Sequence, residues 1–267
     1  MATSSTQRPG VHYITLRDAA SDAIRGLIAD GTLQPGVRIF EEELAERLGV
    51  SRGPIREALR RFEEQGVVVT YPNRGSFVVE LTLMEIEQLY ELRSVLERMA
   101  VRAAASSGSR EVTRALSRCL TQMRRATEAR DLRRISETDL ALHQSLWEAT
   151  GNRFLIQTMT GLAAHLQLLM SVQNRAYKDI GDNLRDHEEL YQAIRQGDAD
   201  AAVKVMTRHL AEARRMIIEA VEATGSLVSS PDQRRRRAGR EGLAPSALTS
   251  RGPGVDKVGA VDAQIPG

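Results

Sequence analysis

A single cysteine, Cys119, occurs in 267 residues. An internal disulfide is therefore excluded, and a reducing compartment is the expected setting. No apolar run approaches the roughly 20 residues of a membrane span, and the N-terminal MATSSTQRPG has no apolar secretory core. Those absences argue against a membrane partner and lead us to expect a cytoplasmic protein. Lysine is missing from residues 1–80, where ten arginines stand against eleven acids (net −1). The whole chain carries only +2, so contact with nucleic acid has to depend on where arginines are placed rather than on bulk charge. Residues 81–225 balance at twenty charges of each sign, and residues 226–267 carry seven bases against four acids. What is present is ordinary for a folded protein: 42% hydrophobic and 27% charged residues, with length for about two domains.

The stretch from Gly49 to Phe62, GVSRGPIREALRRF, has the most pointed pattern. Gly49 and Val50 form a turn, Ser51 is expected to N-cap a helix, and Pro54 is tolerated in a first helical turn. Round that helix Ile55, Leu59 and Phe62 share an apolar stripe. Arg52, Arg56 and Arg60 recur at i, i+4 and i+8 on another face, with Arg61 beside them. The preceding EEELAERLG reads as a short helix carrying Leu44, Ala45 and Leu48. Helix, glycine turn and helix is the arrangement that sets a second helix in a DNA major groove. The other reading of these residues alone is an amphipathic surface helix whose arginines are merely solvated.

Around this pair the first domain assembles. Leu16, Ala20, Ile24, Leu27 and Ile28 predict a helix from about Thr15 to Asp30, and Pro35-Gly36 marks a turn. Ile39 and Phe40 lead into the Glu41 to Leu48 helix. After Gly66, the run Val67 to Tyr71 predicts a strand, residues 72–75 a turn, and Ser76 to Val79 the returning strand. Three helices and a hairpin make a winged helix-turn-helix with Arg74 at the wing tip. The polar residues 1–13 are expected to be disordered, and the domain to span residues 14–80.

From residue 82 to 224 the pattern is helical, with no strand signal. Thr82-Leu83-Met84-Glu85 is a capping box opening a long helix. Further helices are predicted at about 110–129, 132–150, 153–177, 183–195 and 199–223, giving an all-α bundle and a mainly α chain. Arg93 falls on the inward stripe with Ile86, Leu89, Leu96 and Ala100. Burying it demands an anionic partner, either an internal carboxylate such as Glu97 or a small carboxylate ligand held by the guanidinium fork. Asp139 and His143 lie four apart on one inward face, His187 lies with Leu184, Tyr191 and Ile194, and His209 with Val205 and Met206. Each histidine alone is compatible with an ordinary core residue. Three imidazoles and a carboxylate together suit a divalent transition metal, whereas His165 has no such companion and is read as non-ligating. Residues 225–267, with the run Arg234 to Arg237, are read as a disordered tail.

Two stretches, PGVRIFEEELAERLGVSRGPIREALRRFEEQGVV and YPNRGSFV, resemble the DNA-binding domain of GntR-type bacterial transcription regulators. Residues 82–223, including DLALHQSLWEATGN and DHEELYQAIRQGDADAA, resemble the helical effector domain (FCD) of the FadR subfamily. The resemblance implies that Arg52 and Arg56 contact operator bases or phosphates, with Ser51, Arg60 and Arg61 on the same DNA-facing helix, and that Arg74 and Gly75 reach the minor groove or its edge. An arginine that some members carry before the second helix is replaced by Glu41, Glu42 and Glu43, so that contact is not carried over. By the same resemblance Asp139, His143, His187 and His209 hold a zinc-like ion, with manganese and nickel as other candidates, and Arg93 faces the same cavity. The expected function is a homodimeric regulator binding double-stranded operator DNA and answering to a small carboxylate. Two other readings remain: a metalloenzyme using the Asp/His3 site, and a regulator for which the metal is itself the signal.

Overall fold

The computed structural model describes residues 15–223; the segments expected to be disordered, and the arginine run in the second, lie outside the described residues. Thr15 opens α1 (Leu16–Ala29), its hydroxyl accepting from the Asp18 amide at 3.1 Å. Ala20, Ile24, Leu27 and Ile28 turn inward from this helix. The chain then runs through β1 (Arg38–Ile39), α2 (Glu41–Leu48) and α3 (Arg52–Glu64) to the hairpin of β2 (Val68–Tyr71) and β3 (Gly75–Val78). Gly49 closes α2 with φ 64°, a left-handed conformation that glycine adopts without strain.

Two details differ from the sequence reading. Residues 38–39 are a third strand rather than a lead-in to α2, and they make an antiparallel sheet in the order β1-β3-β2, with Arg38 opposite Phe77 and Val68 opposite Val78. Two residues are too few to show alternation, so only the pairing partner reveals them. Ser51 does occupy the N-cap of α3, but its side chain makes no capping hydrogen bond and stays exposed.

Behind the wing, α4 (Leu83–Ser106) starts on the expected capping box, both arms of which form. It is followed by α5 (Arg110–Glu128), α6 (Leu132–Ala149), α7 (Arg153–Ala176), α8 (Gly181–Arg195) and α9 (Ala199–Ala223). The helices pack round a core that includes Ile86, Leu116, Leu142, Leu146, Trp147, Met159, Leu166, Met206 and Ile217. Helix α4 lies along α9, α5 along α6, and α8 against α5 and α9.

One helix belongs to both cores. By length and mean hydropathy (1.2) α7 is apolar enough to cross a membrane, which corrects the expectation that no segment comes close. Its apolar residues are used otherwise: Leu155, Met159, Leu166, Leu169 and Met170 pack in the bundle, while Leu168 is buried among Ile24, Phe62 and Val67 of the winged helix. Helices α6 and α7 both touch α1. Close approach sets residue choice here. A Cβ on Gly26 of α1 would lie 2.5 Å from Cζ of Arg133, and Gly66, at φ 75°, has the His165 ring against it. His165 is thus a contact between domains, away from the other histidines, and burial pushes its pKa down.

Leu168→Ala should therefore destabilise the protein by about 2–5 kcal/mol, the usual range for such a cavity. Urea unfolding is the check; a loss below about 1 kcal/mol, the cost of a site that collapses freely, would mean that α7 does not anchor the winged helix.

Candidate metal centre and nucleic-acid interface

Three helices deliver the histidines. Periodicity on α6 puts Asp139 and His143 one turn apart facing inward, α8 presents His187, and α9 presents His209; all four are buried. One ring nitrogen from each histidine lies within 4.8 Å of the others. His187 and His209 have ring centroids 4.6 Å apart, and His143 lies 5.6 and 5.8 Å from them. Asp139 Oδ1 reaches two of the rings, at 3.4 Å from His143 Nε2 and 3.2 Å from His187 Nε2.

The far nitrogen of every ring is backed by an oxygen. His143 Nδ1 is 2.9 Å from Glu97 Oε1, His187 Nδ1 is 2.8 Å from the Asn183 carbonyl, and His209 Nδ1 is 3.4 Å from Asp186 Oδ2. The His143 contact is close in distance but poorly directed as a hydrogen bond, since both atoms can be near without the ring N–H pointing at the oxygen. In His187 and His209 an Nδ1–H held in this way turns the Nε2 lone pair toward the centre, which is how proteins orient histidine ligands. Burial drives His209 down to about 4, so it is neutral and its lone pair is free at physiological pH. Burial pushes the Asp139 carboxyl up, but the His187 and His143 rings outweigh it and hold the group well below the usual carboxylate range.

These residues fit a divalent ion. Asp139 Oδ1 and His187 Nε2 are buried without a hydrogen-bond partner, an arrangement that is costly unless something satisfies both. Apart from the rings, the cluster sets one guanidinium, Arg93, against two buried carboxylates, Glu97 and Asp139. A tetrahedral ion with bonds near 2.1 Å would need donors about 3.4 Å apart; Asp139 Oδ1 already stands 3.4 and 3.2 Å from two ring nitrogens, and one nitrogen of each ring lies within 4.8 Å of the others.

Arg93 has the internal partners that the bland sequence reading foresaw. Its Nε donates to Glu97 at 3.4 Å, Nη1 donates to the Tyr90 hydroxyl at 3.3 Å, and Nη2 lies 3.1 Å from His143 Nε2. It is 1% exposed, so no open cavity presents its fork to solvent. The guanidinium instead supplies positive charge at the edge of the histidine cluster.

In the winged helix α3 buries Ile55, Ala58, Leu59 and Phe62 and exposes Arg52, Arg56 and Arg60. The first two are tied to α2: Arg52 donates to Glu42 at 2.8 Å and Glu41 at 3.2 Å, and Arg56 to Glu41 at 2.7 Å. Arg60 pairs with Glu64 at 3.6 Å on its own helix. Arg61 does not sit beside them; one residue further round, it turns to Asp18 of α1 at 3.1 Å. Arg74 is exposed at the wing, where Asn73 (φ 62°) and Gly75 (φ 91°) make the tight return. Next to Gly75 lies Arg38, whose guanidinium is 4.8 Å from the Phe40 ring.

Sequence reasoning missed Arg38 as a wing residue, because its strand was not recognised. It also missed Asn183 and Asp186 as backing groups, and assigned Glu97 to Arg93 alone. A signal existed for one of them: Asn183 precedes His187 by one helical turn, whereas Glu97 and His143 stand on different helices and meet only through packing.

Comparison with known proteins follows the same division. The model for "Bacterial regulatory proteins, gntR family" matches residues 16–78, and that for the FCD domain matches residues 88–212. The chain is 29% identical to the HTH-type transcriptional repressor RspR of Escherichia coli (strain K12) over 191 residues, covering 72% of this chain and 82% of that protein. It is 30% identical over 222 residues to a protein of the same strain named for regulation of an L-lactate dehydrogenase operon, covering 73% and 83%. Among solved structures, a GntR transcriptional regulator from Rhodococcus sp. RHA1 superposes with a TM-score of 0.66 at 26% identity, covering 76% of this chain and 98% of that one.

If the rings are held as described, Glu97→Gln should lower Zn2+ affinity 10- to 100-fold, the usual loss when a backing carboxylate is removed. His187→Ala should weaken it further. Competition with a chromophoric chelator reads both, and unchanged affinity in Glu97→Gln would remove Glu97 from this role.

Proposed function

The chain belongs to the GntR family of bacterial regulatory proteins and carries an FCD domain, and from that premise we propose that it is a homodimeric, ligand-responsive repressor or activator acting in the cytoplasm. It is a DNA-binding transcription regulator, and its homologues are regulators rather than enzymes, so the metalloenzyme reading lapses. The observation that carries the proposal is the convergence of three backed imidazoles behind an arginine-bearing helix. One part grips DNA and the other senses.

On the DNA side, α3 enters the major groove with Arg52 and Arg56 reading bases or phosphates, Arg60 and the open Ser51 hydroxyl meet the backbone, and Arg74, Gly75 and Arg38 flank the minor groove. Arg61, turned toward α1, serves as an outer phosphate contact. The ion pairs to Glu41 and Glu42 are exposed, and exposed pairs are weak enough for phosphate to displace. Until then they hold both guanidinium groups against the first turn of α2.

In the sensor, Asp139 Oδ1 and the Nε2 atoms of His143, His187 and His209 would hold the ion. Imidazole-rich sites favour zinc, with manganese and nickel as alternatives. A bound divalent ion supplies a positive centre for a carboxylate oxygen, and Arg93 supplies a second cation within the same cluster. A small organic acid is therefore the proposed effector, in keeping with the lactate-linked relative. Ligand binding moves the equilibrium only through unequal affinity for two arrangements of the bundle. The enclosed site and the satisfied Arg93 favour one further reading, in which the metal alone is the signal. Operator affinity measured with Zn2+ alone, then with L-lactate added, separates the two.

Dimerisation has a natural surface. Leu92, Val95 and Met99 are exposed on α4 at three- and four-residue spacing, an apolar stripe suited to a second copy. Two heads so joined would meet half-sites about one helical turn apart on a pseudo-palindrome.

Arg56→Ala should weaken binding to DNA selected by the protein from a random pool by about 1–3 kcal/mol if it reads a base. Equal affinity for selected and random DNA in the unmodified protein would overturn the regulator reading. Val95→Glu should convert a dimer to a monomer in sedimentation experiments; a dimer that persists unchanged places the interface elsewhere.

A further inference from the structure

A line of buried amides and a hydroxyl runs from the histidine cluster to the winged helix. The Asn183 amide donates to Asp139 Oδ2 at 3.0 Å and to Asn174 Oδ1 at 3.3 Å. Asn174 donates in turn to the Ser136 hydroxyl at 2.9 Å, and Ser136 donates to the backbone carbonyl of Ala29 at 3.3 Å. Asp139, Asn183, Asn174 and Ser136 are all between 0 and 3% exposed. From Asn183 onward the three links share one direction, with donors pointing toward α1, so each group polarises the next, while the same amide also donates back to Asp139.

Both ends of the line are specific. Ala29 is the last residue of α1, and the final carbonyls of a helix lack intrahelical donors. The amides beyond the helix go to earlier residues: Asp30 to Gly26, Leu33 to Leu27 and Gly31 to Ile28. Ser136 of α6 meets the Ala29 carbonyl in their place, closing the end of a DNA-domain helix from the sensor domain. At the other end Asn183 touches the cluster twice, through its amide to Asp139 and through its carbonyl to His187 Nδ1.

We propose that Asn183, Asn174 and Ser136 are positioning residues that orient the ligand Asp139 and His187 and link their orientation to the C-terminal end of α1. The proposal rests on reading the histidine cluster as a metal site. Drawing Asp139 Oδ1 toward an ion shifts Oδ2, the oxygen that Asn183 holds. Asn183 cannot follow without straining its bond to Asn174. Leaving any of these groups unpaired is costly, so the line moves as a unit or breaks. Movement at its far end changes how the last turn of α1 is held, and α1 packs against the recognition helix α3.

The full-length protein is the test material, with Zn2+ as the probe. Zinc should change the affinity for selected operator DNA at least 5-fold in the unmodified protein, within the range typical of coupled sites. Zinc should also slow hydrogen exchange of the Asp30, Gly31 and Leu33 amides. Ser136→Ala should keep zinc affinity within about 3-fold, bring the operator ratio with and without zinc to within about 2-fold of one, and abolish the exchange effect. Asn183→Ala should lower zinc affinity about 10-fold or more, as loss of a backing group does. If Ser136→Ala does not fold, Asn174→Leu, similar in volume, cuts the same line. A Ser136→Ala protein that keeps the full zinc effect overturns the proposal, as does an unmodified protein that binds zinc without any change at the end of α1. Failure of the unmodified protein to prefer operator DNA would instead remove the regulator reading, and the exchange experiment would still decide the link.

Discussion

A carboxylate in the middle of a helical bundle has to be surrounded by donors, and the FCD domain is arranged around meeting that requirement for Asp139. Its Oδ2 is taken by Asn183, while Oδ1 faces two imidazoles that do not satisfy it. Glu97 faces a related problem: Arg93 donates to its Oε1 and His143 Nδ1 lies 2.9 Å from the same oxygen, while Oε2 is buried without a hydrogen-bond partner. Each of these groups would be expensive alone and is tolerable only because the others are present. The region is therefore cooperative, and adding a divalent positive charge would be felt by all its members. The His187 and His209 rings, each held at Nδ1 by an oxygen, have the orientation that ligands of such a charge would need.

That sensitivity matters because the FCD domain is not a free-standing bundle. Helix α7 places Leu168 in the winged-helix core, Arg133 presses on Gly26, and His165 lies against Gly66 at the end of the recognition helix. Apolar packing fixes the two parts together, and hydrogen bonds through Ser136 add direction to the contact. Packed interfaces resist continuous deformation, so small displacements at the histidines are passed on or blocked rather than absorbed.

Arginine plays opposite parts at the two ends. Arg52 and Arg56 are exposed and paired with glutamates in water-screened contacts that a phosphate can take over. Arg93 makes a similar i, i+4 pair with Glu97, but without water. Screening is absent there, and breaking that pair would strand a buried charge. The same side chain is thus exchangeable on α3 and structural on α4, and only its surroundings make the difference.

Much of this was legible in the chain itself. Period 3.6 located the long helices, Thr82 and Glu85 announced the start of α4, and the spacing of Arg52, Arg56 and Arg60 against Ile55, Leu59 and Phe62 separated the two faces of α3. Such features depend on neighbours one turn away, which sequence order specifies. Asp139 and His143 were legible as a pair for the same reason. Their meeting with His187 and His209, the backing of each ring, the two-residue strand at Arg38, the turning of Arg61 to Asp18 and the passage of α7 through both cores were decided by the tertiary structure. Those contacts join residues tens of positions apart, and their distances follow from how helices pack, a quantity that local periodicity does not contain.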